Sequence, residues 1–135
     1  MSDPLGLDVL DRDECLALLA TVGVGRLVYT SQAMPAVQPV RFVVREGAVL
    51  CRVPARGTVF AGVFDSVVAF SADSFGAGLS GGWFVTVVGR AAYVRDSPAD
   101  SSPSWWVPTP NARAIRIPVE SISGRRIPVP AANHA

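Results

Sequence analysis

The sequence contains no lysine, a single histidine and only two cysteines. His134 lies one residue from the end, and Cys15 and Cys51 stand far apart with no C-x-x-C spacing. Metal sites and Cys–His catalytic pairs need such residues at characteristic spacings or in larger sets. The sequence therefore predicts no metal site, and we interpret both cysteines as small buried hydrophobic residues.

A large excess of charge of one sign is also lacking. All twelve basic residues are arginines, and eleven acidic residues leave a formal net charge of +1. The two signs alternate along the chain, whereas nucleic-acid-binding proteins usually gather basic residues on one face, so we expect no nucleic-acid partner. The missing lysine has two interpretations: a bias toward GC-rich codons, or a chemical preference for guanidinium, which binds phosphate bidentately.

Leader segments and long hydrophobic runs are absent as well. The chain begins Met1-Ser2-Asp3-Pro4, with no basic segment followed by an apolar run. No stretch approaches the roughly 20 apolar residues of a membrane span. We expect a cytoplasmic protein without membrane association.

Half of its residues are hydrophobic, which predicts a single domain over 1–135, with a core at 8–127 and tails at 1–7 and 128–135.

One helix is predicted near the start. Asp11 followed by Glu14 has the spacing of a capping box, and Gly23 is a natural stop. Between them, apolar residues fall on one stripe at helical spacing: Cys15, Leu18, Leu19 and Val22. This pattern predicts an amphipathic helix that covers part of the core.

From Gly25 onward the apolar residues recur with a period of two, which is typical of strands. The predicted strands are 26–30, 36–45, 48–53, 67–72, 83–95 and 113–119, with a crossover at 58–64, a closing segment at 123–127, and loops at 73–82 and 96–111. Six or seven strands without a βαβ rhythm predict a mainly β fold, an antiparallel barrel. A β-sandwich is the alternative. The long strand 83–95, with Gly89 as a corner, favours the barrel.

Four segments, taken in order, carry a resemblance to a known family. They are 10–16 with Val24-Gly25-Arg26-Leu27, then 34–42, then 81–91, and finally Ile115-Arg116-Ile117 with 122–127. Together they resemble the pyridoxamine 5′-phosphate oxidase-like, FMN-binding split barrels, in particular the small versions common in actinobacteria. The resemblance implies a six- to seven-stranded antiparallel split barrel with an N-terminal helix and a short crossover helix. It also implies a homodimer that holds a flavin between its two chains.

The resemblance further implies where the flavin lies. The flavin ring would follow the second strand, at Gln38, Pro39, Val40, Arg41 and Phe42. The phosphate would lie near the turn after the third strand, at Arg52, Val53, Arg56, Gly57 and Thr58. The partner chain would contribute residues from Trp83 to Thr86, with Trp105 or Trp106 as further candidates. Typical members carry a lysine in the phosphate turn, and this chain has none.

Several of these residues have two interpretations. Arg52 and Arg56 either replace the missing lysine, with Gly57 allowing close backbone approach, or are solvent-facing arginines beside a turn. Arg41 either donates to the anionic edge of the flavin or is a surface strand residue. Trp83 either stacks on the flavin or belongs to the core or an interface.

The sequence offers no triad, paired-carboxylate site or metal cluster, so any redox chemistry must come from a bound cofactor. The leading hypothesis is an FMN-dependent oxidoreductase of unknown substrate that exchanges hydride with a nicotinamide donor. The second hypothesis replaces FMN with a deazaflavin, whose longer acidic tail suits an arginine-only groove. The third, motivated by the missing lysine, is a non-catalytic module that stores or senses a cofactor, or a dimeric scaffold with a degenerate pocket.

Overall fold

The computed structural model describes residues 1–76, 81–94, 103–106 and 109–129. Residues 77–80 of the predicted loop 73–82 and residues 96–102 and 107–108 of the predicted loop 96–111 lie outside these ranges. So does Arg95 of the predicted long strand. The helices are α1 (Arg12–Leu19) and α2 (Thr58–Val63). The strands are β1 (Asp8–Val9), β2 (Val24–Ser31), β3 (Met34–Arg45), β4 (Ala48–Pro54), β5 (Val67–Ser74), β6 (Trp83–Arg90), β7 (Ala92–Val94), β8 (Ala112–Pro118) and β9 (Ser121–Arg126).

These nine strands form one antiparallel sheet in the order β1-β9-β6-β5-β2-β3-β4-β8-β7. The sheet curls until β6 meets the turn between β8 and β9. There the Glu120 amide donates to the Val88 carbonyl at 3.2 Å, and the Glu120 carboxylate accepts from the Arg90 amide at 2.7 Å. This architecture confirms the predicted mainly β, antiparallel split barrel.

The strand count exceeds the predicted six or seven for two reasons. β1 has two residues, which pair with β9, and its Asp8 also bridges to Ser2, so it is too short to give a period-two pattern. The predicted strand 83–95 divides at Ala91, whose amide donates to the Ser66 carbonyl at 2.9 Å as a last bond in the register of β5 and β6. After Ala91 the chain continues beside β8 as β7, so the expected bend exists and separates two strands.

Local sequence signals account for α1. The Glu14 amide donates to the Asp11 carboxylate at 2.8 Å, and the Asp11 amide donates to the Glu14 carboxylate at 3.3 Å, which confirms the predicted capping box. Cys15 and Leu19 are buried, and the helix packs against β6 and β9. The helix ends earlier than the Gly23 stop suggests, with Ala20 as its C-cap.

The barrel interior is filled by alternate strand residues from both halves of the sheet. Phe42 and Phe70 meet edge to face with ring centroids 4.6 Å apart. Cys15 and Cys51 are both buried, as predicted. Burial raises the pKa of the Cys51 thiol to about 12 and also raises the pKa of Cys15. Both cysteines are therefore neutral near pH 7, and neither is an activated nucleophile.

Gly89 lies where β6 approaches β8, and a Cβ there would overlap the Pro118 carbonyl oxygen. Gly89→Ala is expected to lower the free energy of unfolding by about 2–3 kcal/mol, because backbone has to move. Gly23→Ala is the matched control, since a Cβ at Gly23 meets nothing within 4 Å. Urea unfolding followed by tryptophan fluorescence measures both variants. Equal midpoints would contradict the close approach at Gly89.

Candidate functional site

Strands β3 and β4 separate part-way along their length. They pair only where Phe42–Arg45 face Ala48–Cys51. Before Phe42, β3 pairs with β2, and beyond Cys51, β4 pairs with β8. Within the described residues, no strand pairing joins 34–41 of β3 to 52–54 of β4, and we call this stretch the split.

Two prolines mark the β3 side of the split. Pro35 and Pro39 occupy β3 positions of the same parity, and proline is typical of strand edges because it has no N–H for a ladder. The Pro39 carbonyl accepts a hydrogen bond from the Gln38 side-chain amide at 3.1 Å. The spacing of these prolines is a signal for a free strand edge that our sequence analysis did not use.

Two arginines stand beside each other where the split begins. Phe42 and Cys51 form the last β3–β4 pair and point into the core. Because side chains alternate along a strand, Arg41 and Arg52, one position further, point outward. The split therefore begins between two guanidinium groups.

A tryptophan pair contacts these guanidinium groups. The guanidinium carbon of Arg41 lies 5.7 Å from the centroid of the Trp105 ring, and that of Arg52 lies 5.2 Å from the Trp106 ring. The two indoles have centroids 5.6 Å apart. Stacking engages the faces of the guanidinium groups, while their N–H donors point outward in the guanidinium plane. Each indole thus limits the orientations of one arginine.

The turn after β4 leads into α2 and borders a cavity of about 390 Å³. Arg56 is exposed and lines this cavity opposite Pro110 and Asn111. The Ala55 amide donates to the Asn111 carbonyl at 2.9 Å, which fixes the turn to the start of β8. Gly57 has φ +96°, a conformation that L side chains rarely adopt. The predicted phosphate turn is therefore a defined loop with a cation beside a cavity.

The twelve predicted cofactor-binding residues fall into three groups. Those that border the split or the turn are Gln38, Pro39, Arg41, Arg52, Arg56, Gly57 and Thr58. Three others have side chains in the core, so that their backbone alone can face a ligand: Val40, Phe42 and Val53. The remaining two, Trp83 and Thr86, lie on β6, which β5 and β2 separate from β3. Within one chain, the β6 residues do not join the others.

The two β6 residues differ in orientation. Trp83 is 6% exposed and packs in the core, which favours the interpretation of this residue as a core side chain. Thr86 has the opposite parity and is half-buried on the outer face of the sheet. Of these two residues, Thr86 is therefore the one with a side chain that a second chain can reach.

Sequence reasoning missed an aromatic cluster where α2 meets β7. The Phe60 and Phe64 rings each lie 5.2 Å from the Tyr93 ring, centroid to centroid. The Arg113 guanidinium carbon lies 6.0 Å from the Tyr93 centroid. No local pattern links these residues, because they come from three elements that only the folded sheet brings together.

The electrostatics of the described residues leave positive charge near the split. The ion pairs with described distances are Arg26–Asp73 at 2.6 Å, Arg125–Asp3 at 3.0 Å and Arg90–Asp65 at 3.7 Å. No described carboxylate lies within ion-pair distance of Arg41 or Arg56. The same residues contain no group of three or more metal-binding side chains. None of the described helices is long and apolar enough to cross a membrane.

Comparison with known proteins assigns this architecture. Residues 11–126 match the family model described as pyridoxamine 5′-phosphate oxidase. The chain belongs to this family. The match confirms the family resemblance inferred from the sequence.

Individual relatives agree with the family assignment. The FAD binding protein of Mycobacterium smegmatis has 29% sequence identity, a TM-score of 0.72, and alignment over 89% of this chain and 97% of its own. The uncharacterized protein Rv0080 of Mycobacterium tuberculosis is 42% identical over 95 residues, 64% of this chain and 60% of that protein. The urease accessory protein UreD of Delftia acidovorans is 40% identical over 88 residues, 65% of this chain but 28% of that protein. The chain thus spans less than two thirds of each of these two curated relatives. The family match and the solved relative, which is itself an FAD binding protein, indicate a split barrel.

Proposed function

We propose that this protein binds a flavin, with FMN as the first candidate, in the split, and that it acts as a homodimeric flavin-dependent oxidoreductase. One observation carries the proposal: Arg41 and Arg52 point outward where β3 leaves β4, beside the turn that carries Arg56. A flavin phosphate needs charged donors, and the polar edge of the ring needs backbone hydrogen-bonding groups. The FAD bound by the Mycobacterium smegmatis relative supports the same ligand class.

The residues at the end of β4 fit a phosphate ester without a lysine. Guanidinium offers two parallel N–H donors that match two phosphate oxygens. The guanidinium carbon of Arg52 lies 5.2 Å from the centroid of the Trp106 ring, and this stacking means that the side chain loses little freedom when it binds a ligand. Arg56 is exposed at its cavity, and the next residue, Gly57, has no side chain that would keep a ligand from the backbone. We therefore assign the phosphate to Arg52 and Arg56, with Thr58 as a neighbouring hydroxyl donor.

The β3 side of the split fits the ring of a flavin. Backbone groups from Gln38 to Arg41 line an edge that no described strand covers, and this edge ends at Phe42, which pairs with Cys51 of β4. Arg41 stands at the end of this edge as a donor to the anionic side of the ring. A bound flavin supplies hydride and single-electron chemistry. The chain itself supplies binding, orientation and exclusion of water.

The outer face of the sheet provides a surface for a second copy. Strand registers place four apolar side chains in one row across β3, β2, β5 and β6: Val37, Val28, Ala69 and Val88. Val37 is 58% exposed. Two-fold dimers pair a surface patch with its own copy, and an apolar row on a sheet can pack against an apolar row on another sheet.

A dimer through this face also brings β6 to the flavin. Thr86 lies two residues before Val88 on β6, so its side chain is on the same outer face. In a two-fold dimer, Thr86 of the partner subunit would reach the β3 edge that Thr86 of the same chain cannot reach. This arrangement supports the inference that the partner completes the site.

Purified protein mixed with FMN, FAD or a deazaflavin tests the proposal by absorbance and thermal unfolding. A ligand at 100 times its dissociation constant stabilises the folded state by about 2.7 kcal/mol, which raises Tm by several degrees. The flavin with the largest shift identifies the cofactor. Colourless protein whose Tm none of the three changes would contradict flavin binding.

A non-catalytic cofactor-holding module is the second candidate, and the absence of lysine from the phosphate turn favours it. The two candidates differ in whether bound flavin turns over. Anaerobic addition of a nicotinamide donor should bleach the flavin absorbance if the protein is an oxidoreductase of the proposed kind. Tight binding with unchanged absorbance would favour the module.

A further inference from the structure

A second cavity shares Pro110 with the Arg56 cavity and lies at the edge of the sheet. Its volume is about 540 Å³, and its lining includes Tyr93, Val94, Thr109, Pro110, Arg113 and Ala114. Small-molecule sites typically occupy about 300–1,000 Å³. The cavity therefore has the size of a site for a small organic ligand, and the flavin proposal does not use it.

Arg113 is the charged residue of this cavity. Its guanidinium stacks over the Tyr93 ring, with 6.0 Å between the guanidinium carbon and the ring centroid. No carboxylate among the residues described by the structure pairs with Arg113, and none of the described lining residues is acidic. Stacking occupies the guanidinium face and leaves its N–H edge as a donor fork. An anion in the cavity would be attracted by this fork.

Tyr93 adds a second polar group. Its hydroxyl is buried and has no hydrogen-bond partner within the described chain. Buried polar groups nearly always have such a partner, so this hydroxyl calls for a bound water, an ion or a ligand. Burial raises the pKa of Tyr93, and this effect outweighs the lowering by Arg113. The hydroxyl therefore keeps its proton at neutral pH and can donate it.

We propose that this cavity binds a small carboxylate with a compact apolar body. The carboxylate oxygens match the Arg113 fork, with the Tyr93 hydroxyl as a neighbouring donor, while the body lies against Pro110. A phosphate fits less well, because it needs more donors and Pro110 has no N–H to offer. Ala114 pairs with Arg52 across β4 and β8, so the ligand lies beside the proposed flavin site, yet its binding does not require the flavin.

Calorimetric titration with benzoate, and with benzamide as its uncharged analogue, tests the proposal on the intact protein. Benzoate is expected to bind at least about tenfold more tightly, because only the anion uses the guanidinium fork. Arg113→Gln is expected to remove about tenfold or more of benzoate affinity, and Tyr93→Phe about two- to tenfold. Arg116→Gln is the matched control on the same strand, because Arg116 does not line the cavity; it should leave affinity unchanged.

Three results would overturn the carboxylate site. They are equal affinity for benzoate and benzamide, unchanged affinity in Arg113→Gln, and competition between benzoate and FMN, which would make the cavity part of the flavin site. Arg113 is exposed, and the urea midpoint of each variant verifies that it folds. If Arg113→Gln does not fold, the benzoate–benzamide comparison on the unaltered protein decides. Failure of flavin binding would leave this titration unaffected.

Discussion

Replacing Arg52 with glutamine is expected to weaken flavin binding by about 10- to 150-fold, because a charged hydrogen bond to phosphate contributes about 1.5–3 kcal/mol. Arg52 stands where β4 leaves β3, and its guanidinium is oriented by Trp106 at 5.2 Å. Arg56→Gln should show a loss in the same range. Fluorescence titration with the flavin that shifts Tm most gives the dissociation constants.

Two control variants test whether the loss of affinity is specific to the Arg52 guanidinium. Arg116→Gln removes an arginine from the same outer face as Arg52, two positions away through the β4–β8 register, and should bind flavin normally. Arg52→Lys keeps the charge but loses the planar fork, so its loss should be smaller than that of Arg52→Gln. If Arg52→Gln and Arg56→Gln both bind flavin as the unaltered protein does, the phosphate does not lie at the end of β4.

Features set by neighbouring residues could be predicted from the sequence. The Asp11–Glu14 capping box is local, because a helix start depends on side chains three residues apart. The period of two located β2 to β5, β6 and β8, because alternation is a property of each strand by itself. In contrast, β1 and β7 have two and three residues and carry too little pattern to be found.

The site depends on the pairing registers of the strands, which cannot be read from the sequence. Arg41 and Arg52 are adjacent only because Phe42 pairs with Cys51, and the pairing of distant segments leaves no local signal. Likewise, Trp105 and Trp106 lie in a proline-rich segment without periodicity, so their contacts with these arginines were not foreseeable. The candidate flavin residues came from the family resemblance instead. The proline spacing in β3 is the one local signal of the split that was available.

The same registers explain why Arg113 and Tyr93 were missed. Each looks like an ordinary strand residue in the sequence, and they meet because β7 pairs with β8 through Tyr93 and Ile115. The long predicted strand 83–95 concealed this, since it placed Tyr93 on the same strand as Trp83. The break at Ala91 moves Tyr93 to the opposite edge of the sheet.

Val37→Glu is expected to convert a dimer into a monomer. Val37 ends the apolar row on the outer face of β3, β2, β5 and β6. In a two-fold interface each substitution occurs twice, and each places a carboxylate against apolar side chains without a partner. The dimer dissociation constant should rise by at least about 100-fold. Size-exclusion chromatography with light scattering measures it.

The monomer tests whether the flavin site is shared. Val37 is 58% exposed, so the substitution should leave the barrel fold intact, and far-ultraviolet circular dichroism verifies this. If Thr86 of the partner subunit completes the site, flavin affinity must fall together with dimerisation. Leu5→Glu, at a position 83% exposed in the N-terminal segment, is the control that adds the same charge away from the row. A monomeric Val37→Glu with undiminished flavin affinity would confine the site to one chain, and an unaltered protein that is already monomeric would remove the dimer from the proposal.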